Sequence, residues 1–180
     1  GNIVKLGGGD ASLACDLLYY LKDQNELPKQ YIFFEKSDYL IKKQKSIINE
    51  KSINTIVDIS WISDFKDLPS EAFIISNELF DCLPTDIIKH VPGGYQQAYI
   101  NKDFKMDWKE FDFESELSFI DLDLPKDLPY NYVFEYSHAQ KDIINEISEF
   151  LHRAYFLIFD YGYTSSELYL KDRSLGTITR

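Results

Sequence analysis

The sequence predicts an α/β fold with a parallel, doubly wound sheet, and three observations predict it. Short apolar segments alternate with amphipathic helical segments through the first half of the chain. A glycine-rich loop, residues 7–9, stands between the first apolar segment and the first helix. Buried strands end at polar residues, as at Glu35 and Asn77. Strands that alternate with helices pair in parallel, so ligand-binding groups are expected beyond their carboxyl ends.

The first half of the chain supplies four predicted strands and two predicted helices. Asp10 precedes the first helix and is predicted to cap it, and Ser37 starts the second. Asp58 and Asn77 are predicted to follow the ends of the third and fourth strands. The predicted strands are residues 2–6, 31–34, 54–57 and 72–76, and the first helix covers residues 11–21.

The second half changes character after the fourth strand. Residues 86–128 lack a helical period and contain a Pro-Gly-Gly turn at 92–94, which predicts a β-rich insertion over the sheet. Ser137 and Gln140 have capping-box spacing and open a predicted helix. Residues 155–159 form a predicted fifth buried strand, and the segment after it is predicted as loop with a strand start. We expect one domain over residues 1–180.

Composition narrows the classes of partner. The 180 residues carry a net charge of −11 and only three arginines (Arg153, Arg173 and Arg180), so no cationic face is available for nucleic acid. The electrostatic field of this acidic chain suits a basic protein or peptide better than it suits nucleic acid. Cys15 and Cys82 are isolated, which argues against a metal site and favours a reducing compartment. No apolar run is long enough to insert in a membrane, and no signal peptide is visible.

The glycine loop and Glu35 together predict a nucleoside ligand. Glycines let a ligand approach the backbone, and an acid at the end of the second strand accepts hydrogen bonds from ribose hydroxyls. The pair suits NAD as well as S-adenosylmethionine, although Ser12 stands where the third glycine of a dinucleotide fingerprint would be. Asp58 and Trp61 are candidates for contact with adenine. The alternative reading of these residues is an ordinary turn, a surface acid and a packing aromatic.

A second cluster follows the fourth strand. Asn77, Glu78 and Asp81 place a carboxamide and two carboxylates within five residues. Two carboxylates can hold a guanidinium through paired hydrogen bonds and favour its charge. Asp160 and Tyr161 follow the fifth strand and are expected at the mouth of the same site. The alternative reading is a helix start with stabilising acids.

Several segments, in a common order along the chain, resemble one family, the MidA-like class I S-adenosylmethionine-dependent methyltransferases. That family includes mitochondrial assembly factors of respiratory complex I. The matching segments are KLGGGDASLACDLL (5–18), FFEKSDYLIKKQ (33–44), SNELFDCLP (76–84), FEYSHAQ (134–140), LIFDYG (157–162) and GTITR (176–180).

The resemblance implies a Rossmann-like class I methyltransferase sheet with helices on both faces, S-adenosylmethionine as cofactor, no metal and arginine in a protein as the target. The residues expected to bind the cofactor are Gly7, Gly8, Gly9, Asp10, Glu35, Ser37, Asp58, Trp61 and Asn77. The residues expected to bind substrate are Glu78, Asp81, Pro84, Asp160 and Tyr161. Asn77, Glu78 and Asp81 are the expected catalytic group.

Two positions depart from the family pattern ELGPGRG. Lys5 replaces its acid, and Ala11 replaces its third glycine. Family segments before the first strand and after GTITR are expected to be absent from this chain. These departures favour an alternative, a methyltransferase-fold assembly factor that binds a partner without catalysis. The resemblance implies a respiratory-complex subunit as partner, in the cytoplasm of a bacterium or in the mitochondrial matrix.

Overall fold

The computed structural model describes residues 1–112, 124–125 and 127–176, which form two compact units. The first unit consists of Gly1–Cys82 and Asp142–Tyr161. The second consists of the described residues of Leu83–Lys141 and Gly162–Arg180. Among the helices of the described ranges, none is long and apolar enough to cross a membrane.

A parallel sheet forms the centre of the first unit, which confirms the predicted α/β class. Its described strands are β1 Asn2–Leu6, β2 Gln30–Phe34, β3 Asp58–Ile62, β4 Glu71–Asn77 and β9 Arg153–Phe159. They lie in the order β3-β2-β1-β4-β9, all parallel to their neighbours. The order changes direction between β1 and β4, and a ligand site is expected where the carboxyl ends of such strands diverge.

Helices cover both faces of this sheet. On one face, α1 (Ser12–Asp23) and α2 (Asp38–Glu50) bury Cys15, Leu18 and Ile48 against the aromatic side chains of β2. On the other face, α3 (His138–Phe150) packs Ile147 against the aliphatic residues of β1 and β4. Each helix is amphipathic, so burial of its apolar side holds it to the sheet.

The predicted third strand is wrong in position. Ile53–Thr55 is a 3₁₀ turn, and the Val57 N–H donates to the Ile53 carbonyl at 3.3 Å. Ile53 and Val57 are both buried. These two residues are four positions apart, which is a helical spacing. An apolar run this short is nevertheless compatible with a strand as well as with a helical turn, so the sequence does not distinguish them. The strand begins at Asp58 and ends at Ile62, so Asp58 lies at the amino edge of the sheet.

The fifth parallel strand was predicted correctly in position and incorrectly in burial. β9 pairs with β4 from Glu71↔Arg153 to Asn77↔Phe159. Most of its side chains are exposed, with Tyr155 at 66% and Phe159 at 55%, and Phe156 is partly buried against the core. An apolar run predicts a strand, but it does not report whether the strand has one neighbour or two. Among the described strands, β9 is at the end of the order.

The second unit contains an antiparallel sheet, which agrees with the predicted β-rich insertion. Its described strands are β5 Asp86–Val91, β6 Gly94–Ile100, β7 Met106–Phe111 and β8 Val133–Tyr136, and they lie in the order β7-β6-β5-β8. The part of the insertion at 113–123 and at 126, and the tail at 177–180, lie outside the described residues.

Two local predictions in the second unit have clear outcomes. The Gln140 N–H donates to Ser137 Oγ at 3.3 Å, as the capping-box spacing predicts. The segment predicted as loop contains a short helix, α4 (Ser165–Leu168), and a 3₁₀ turn, Lys171–Arg173. Leu175 then bridges to Val133.

Candidate functional site

The carboxyl ends of the parallel strands lie in register along one edge of the sheet. Leu6 pairs with Phe34 and with Ser76, and Phe34 pairs with Ile62. The ladder continues one residue beyond the strands, since the Gly7 N–H donates to Phe34 O at 3.2 Å. The Glu35 N–H likewise donates to Ile62 O at 3.0 Å. The glycine loop and Glu35 therefore meet at the same edge, as the sequence predicts.

The glycine loop adopts a backbone that side chains disfavour. Gly7 and Gly9 have φ of +62° and +53°, in the left-handed region. A β-carbon on Gly7 would lie 3.2 Å from Leu79 Cδ1, so the loop approaches the segment after β4 closely. A β-carbon on Gly9 would have no heavy atom within 4 Å. The loop is thus packed against Leu79 at Gly7. Beside Gly9 there is open space, where a ligand can approach.

The helix that follows this loop begins differently from the prediction. Ala11, and not Asp10, is at the N-cap, with φ of +74°. Asp10 Oδ1 accepts a hydrogen bond from the Ser12 N–H at 3.0 Å. Hydrogen bonding from Ser12 lowers the pKa of Asp10. The left-handed conformation at Ala11 favours glycine, the residue that the MidA-like resemblance implies at this position. Alanine keeps the same shape at a cost of roughly 1–2 kcal/mol.

Gln44 connects three parts of the candidate site and was not predicted. It is 0% exposed and projects from α2. Its Nε2 donates to Gly9 O at 3.0 Å and to Glu35 Oε2 at 3.3 Å. Its Oε1 accepts the indole N–H of Trp61 at 2.8 Å. A glutamine on an amphipathic helix normally indicates a solvent-facing position. Only its place one helical turn before the buried Ile48, on the same face of α2, could have indicated burial.

Glu35 is buried with one accepting position left. Its Oε1 accepts the N–H groups of Lys36 and Ser37 at 3.1 Å and 3.0 Å. Its Oε2 accepts from Gln44. A carboxylate has about four lone-pair sites, so Oε2 can take one more donor, such as a ribose hydroxyl. Ser37 instead caps α2, because its Oγ accepts the Leu40 N–H at 3.4 Å.

Lys5 is the other unexpected polar residue. It is 4% exposed, and its Nζ donates to Leu6 O and Gly7 O at 2.9 Å each. Burial lowers the pKa of Lys5, and the charge of Glu35 opposes that shift. A lysine amine therefore lies at the base of the loop, where the MidA-like resemblance implies an acid.

The segment after β4 is held by hydrogen bonds to the last residue of β9 and to the side chain of Asp160, which follows β9. Glu78 has φ of +47°, and its N–H donates to Phe159 O at 2.8 Å. The Phe80 N–H donates to Asp160 Oδ2 at 2.8 Å. Asp160 Oδ1 accepts the Tyr161 N–H at 2.9 Å. Asp160 thus uses both oxygens to fix the backbone beside the acidic residues.

A cavity of about 360 Å³ opens at this point, within the usual range of about 300–1,000 Å³ for ligand pockets. Glu78 is exposed at its wall, and Asp81 is exposed nearby in sequence. Carboxylates with solvent access are available to a cationic group. The cavity is lined by Asn77, Glu78, Ile158, Phe159, Asp160 and Tyr161.

Three predicted site residues lie elsewhere or have other partners. Asp58 accepts Gln30 Nε2 at 3.0 Å at the amino edge, so its predicted place at the end of a strand is wrong. Trp61 lies near the carboxyl end of β3, stacked on Phe33 with ring centroids 5.5 Å apart. Pro84 belongs to the second unit, where its carbonyl accepts Ser137 Oγ at 2.8 Å.

We expect Gly8→Ala to disturb the network around Gln44. A β-carbon on Gly8 would lie 2.6 Å from both Gln44 Nε2 and Phe33 Cδ1. Such overpacking lowers the free energy of unfolding by about 1–3 kcal/mol. It also moves Gln44 away from the Trp61 indole, which an NMR spectrum of the indole N–H resonances would detect.

Gly9→Ala is the matched control, because its β-carbon meets open space and adds only backbone strain. The Trp61 indole resonance should stay in place in this variant. An unchanged Trp61 resonance in Gly8→Ala would contradict the predicted clash.

A family model covers the whole chain. The model described as "Putative S-adenosyl-L-methionine-dependent methyltransferase" matches residues 1–180. The chain belongs to this family. Membership confirms the predicted methyltransferase class and the predicted cofactor at the level of the family. No curated protein matches the chain.

Solved structures share the fold. An uncharacterised protein from Burkholderia thailandensis has a TM-score of 0.78 at 23% identity, covering 98% of this chain and 47% of its own. A second structure from that organism, described as a "likely methyl transferase", is bound to S-adenosyl-homocysteine. It has a TM-score of 0.75 at 22% identity, covering 98% of this chain and 46% of its own. The chain thus spans about half the length of these structures.

Proposed function

We propose that this chain transfers a methyl group from S-adenosylmethionine to a guanidinium nitrogen of arginine in a protein substrate. The observation that carries the proposal is the acidic cavity at the carboxyl ends of β4 and β9. Leu79, in the segment that lines it, packs against Gly7 of the glycine loop. This packing supports a proposed nucleoside site and a proposed site for a cationic group that are neighbours within one unit.

The residues of the glycine loop fit the cofactor. The space above Gly9 is open, and Glu35 Oε2 has one accepting position for a ribose hydroxyl. Gln44 and Ser37 act indirectly in this proposal, because they hold Glu35 and the start of α2 in place. When bound, S-adenosylmethionine supplies an activated methyl group on its sulfonium sulfur.

The carboxylates after β4 are proposed to bind the methyl acceptor, a guanidinium group. Glu78 and Asp81 are proposed to bind the guanidinium through charge-assisted hydrogen bonds, with Asn77 beside them. Methyl transfer forms a C–N bond and breaks the C–S bond, leaving S-adenosylhomocysteine, and the nitrogen loses a proton. A carboxylate can take that proton and pass it to solvent. Positioning and charge would supply most of the acceleration.

The net charge of −11 supports a basic partner, since long-range attraction favours an arginine-bearing protein over nucleic acid. The MidA-like resemblance extends the proposal to a respiratory-complex subunit. Among the described residues, no group of three His, Cys, Asp or Glu side chains could hold a metal ion. The proposed chemistry uses the side chains named above.

The proposal is tested with the full chain, S-adenosylmethionine and two basic peptides that differ only in arginine or lysine. We expect methylarginine by mass spectrometry and no methyllysine. Binding of S-adenosylhomocysteine, measured by calorimetry, tests the cofactor separately. Cofactor binding without methylarginine would reject arginine as the target and favour a partner-binding assembly factor, whereas no binding would reject the methyltransferase itself.

Glu78→Gln and Asp81→Asn test the guanidinium clamp. Each substitution removes one charge-assisted hydrogen bond, and we expect kcat/KM to fall by about tenfold in each variant. Glu71→Gln is the matched control, because Glu71 is an exposed acid at the opposite end of β4. Unchanged kcat/KM in both site variants would contradict the clamp.

A further inference from the structure

Lys5 places a buried amine at the base of the glycine loop. Its Cα neighbours on the flanking strands are Phe33 and Ile75, both apolar. Its Nζ bonds only to the neutral carbonyls of Leu6 and Gly7. Over the described ranges, no carboxylate lies within ion-pair distance of this nitrogen. A buried lysine charge with no carboxylate bonded to it is costly, so this position favours an anion.

The ammonium group also has unused bonding capacity. A lysine side chain has three N–H donors, and the two carbonyls take two of them. The third donor remains at the point where β1 passes into the loop. Glu35 influences Lys5 through space, but its oxygens bond to Lys36, Ser37 and Gln44.

We propose that Lys5 binds the carboxylate of the amino-acid part of S-adenosylmethionine, and so determines specificity for ligands that carry this group. The inference rests on the proposed function for the identity of the cofactor. The carboxylate is the one anionic group of this cofactor, because adenine and ribose are neutral and the other end is an ammonium. A cation beside the loop is therefore complementary to this group.

The geometry favours this role over simple support of the loop. Support alone needs an N–H donor for two carbonyls, which a neutral side chain can supply. The charge adds a desolvation cost that such support does not require. Binding of a carboxylate would compensate that cost, and the compensation would be present only with a ligand that carries the anion.

The test compares two ligands that differ only in the carboxylate. S-adenosylhomocysteine and its decarboxylated amine analogue are titrated by calorimetry into the full chain and into Lys5→Met. We expect Lys5→Met to weaken binding of S-adenosylhomocysteine by about 10- to 100-fold, the usual effect of losing a hydrogen bond to a charged group. Binding of the analogue should change by less than about twofold, because it has no carboxylate to lose.

Lys43→Met is the matched control. Lys43 is exposed and acts on Asp10 of the same loop only through its charge, so the variant changes net charge equally. It should leave the affinities for both ligands unchanged. If Lys5→Met lowers the melting temperature by several degrees, Lys5→Gln replaces it, since glutamine keeps an N–H donor for the two carbonyls.

Three results would overturn the inference. Equal weakening of both ligands would mean that Lys5 only supports the loop. Unchanged binding of both would mean that it contacts neither. Tight binding of NAD by the wild-type chain, lost in Lys5→Met, would assign the cation to a phosphate. Failure of the wild-type chain to bind either nucleoside thioether would instead reject the proposed function before any variant is compared.

Discussion

Replacement of Glu35 by alanine is expected to lower the free energy of unfolding by about 2–4 kcal/mol, because three hydrogen-bond donors lose a buried acceptor. Those donors are the N–H groups of Lys36 and Ser37 and the Nε2 of Gln44. The change also removes the negative charge of Glu35, which acts on Lys5 through space and raises its pKa. Urea denaturation followed by circular dichroism measures the loss.

Two further variants separate the causes of this effect. Glu35→Gln keeps one oxygen for the N–H groups of Lys36 and Ser37, so we expect a smaller loss of stability than with alanine. Its NH₂ group would face Gln44 Nε2, and Trp61, which bonds to Gln44, should report the change by fluorescence. Asp64→Ala removes an exposed carboxylate that also accepts a backbone N–H, and should have little effect. Equal losses in Glu35→Ala and Asp64→Ala would contradict the buried role of Glu35.

The backbone of this site could be predicted from the sequence because local residue chemistry determines it. The glycines at 7 and 9 have left-handed φ, and Ser37 caps α2 as its residue type favours. Glu35 and Asn77 lie at strand ends because polar residues there interrupt buried runs. These features depend on neighbours along the chain, which the sequence displays directly.

The side-chain network could not be predicted in the same way. Gln44 bonds to residues 35 positions away at Gly9 and 17 positions away at Trp61, and no local pattern marks such partners. The resemblance implies only the loss of an acid at Lys5, whereas the bonds of Lys5 to Leu6 and Gly7 depend on the shape of the loop. Strand β3 was misplaced because Ile53 and Val57 are apolar and buried in either interpretation.

Asp160 shows how the structure changes the role expected for a residue. The sequence placed it beside Tyr161 as a contact to substrate. In the structure its two oxygens accept the N–H groups of Phe80 and Tyr161, at 2.8 Å and 2.9 Å. The bond to Phe80 fixes the backbone that carries Glu78, whose left-handed φ is unfavourable on its own. Asp160 is therefore expected to affect methyl transfer indirectly, by holding Glu78 in position.

Asp160→Asn tests this role because asparagine has one carbonyl oxygen where aspartate has two. One of the two N–H groups would face an NH₂ group and lose its acceptor, and the segment with Glu78 would shift. A displacement of about 1 Å at a reacting group costs about 100-fold in rate, so we expect kcat to fall by about that factor. The affinity for S-adenosylhomocysteine should fall much less than kcat, since the hydrogen bonds that hold the glycine loop and Glu35 do not involve Asp160.

Asp160→Glu keeps both oxygens and should recover part of the lost kcat, which a role in general stability would not predict. Asp67→Asn, at an exposed position of the first unit, is the matched control for the change of one charge. Turnover and affinity are measured separately with the arginine peptide. A rise in KM for the peptide at constant kcat would show that Asp160 contacts substrate directly. A parallel fall in kcat and in S-adenosylhomocysteine affinity would show that its hydrogen bonds support the whole edge of the sheet, and would reject a specific effect on Glu78.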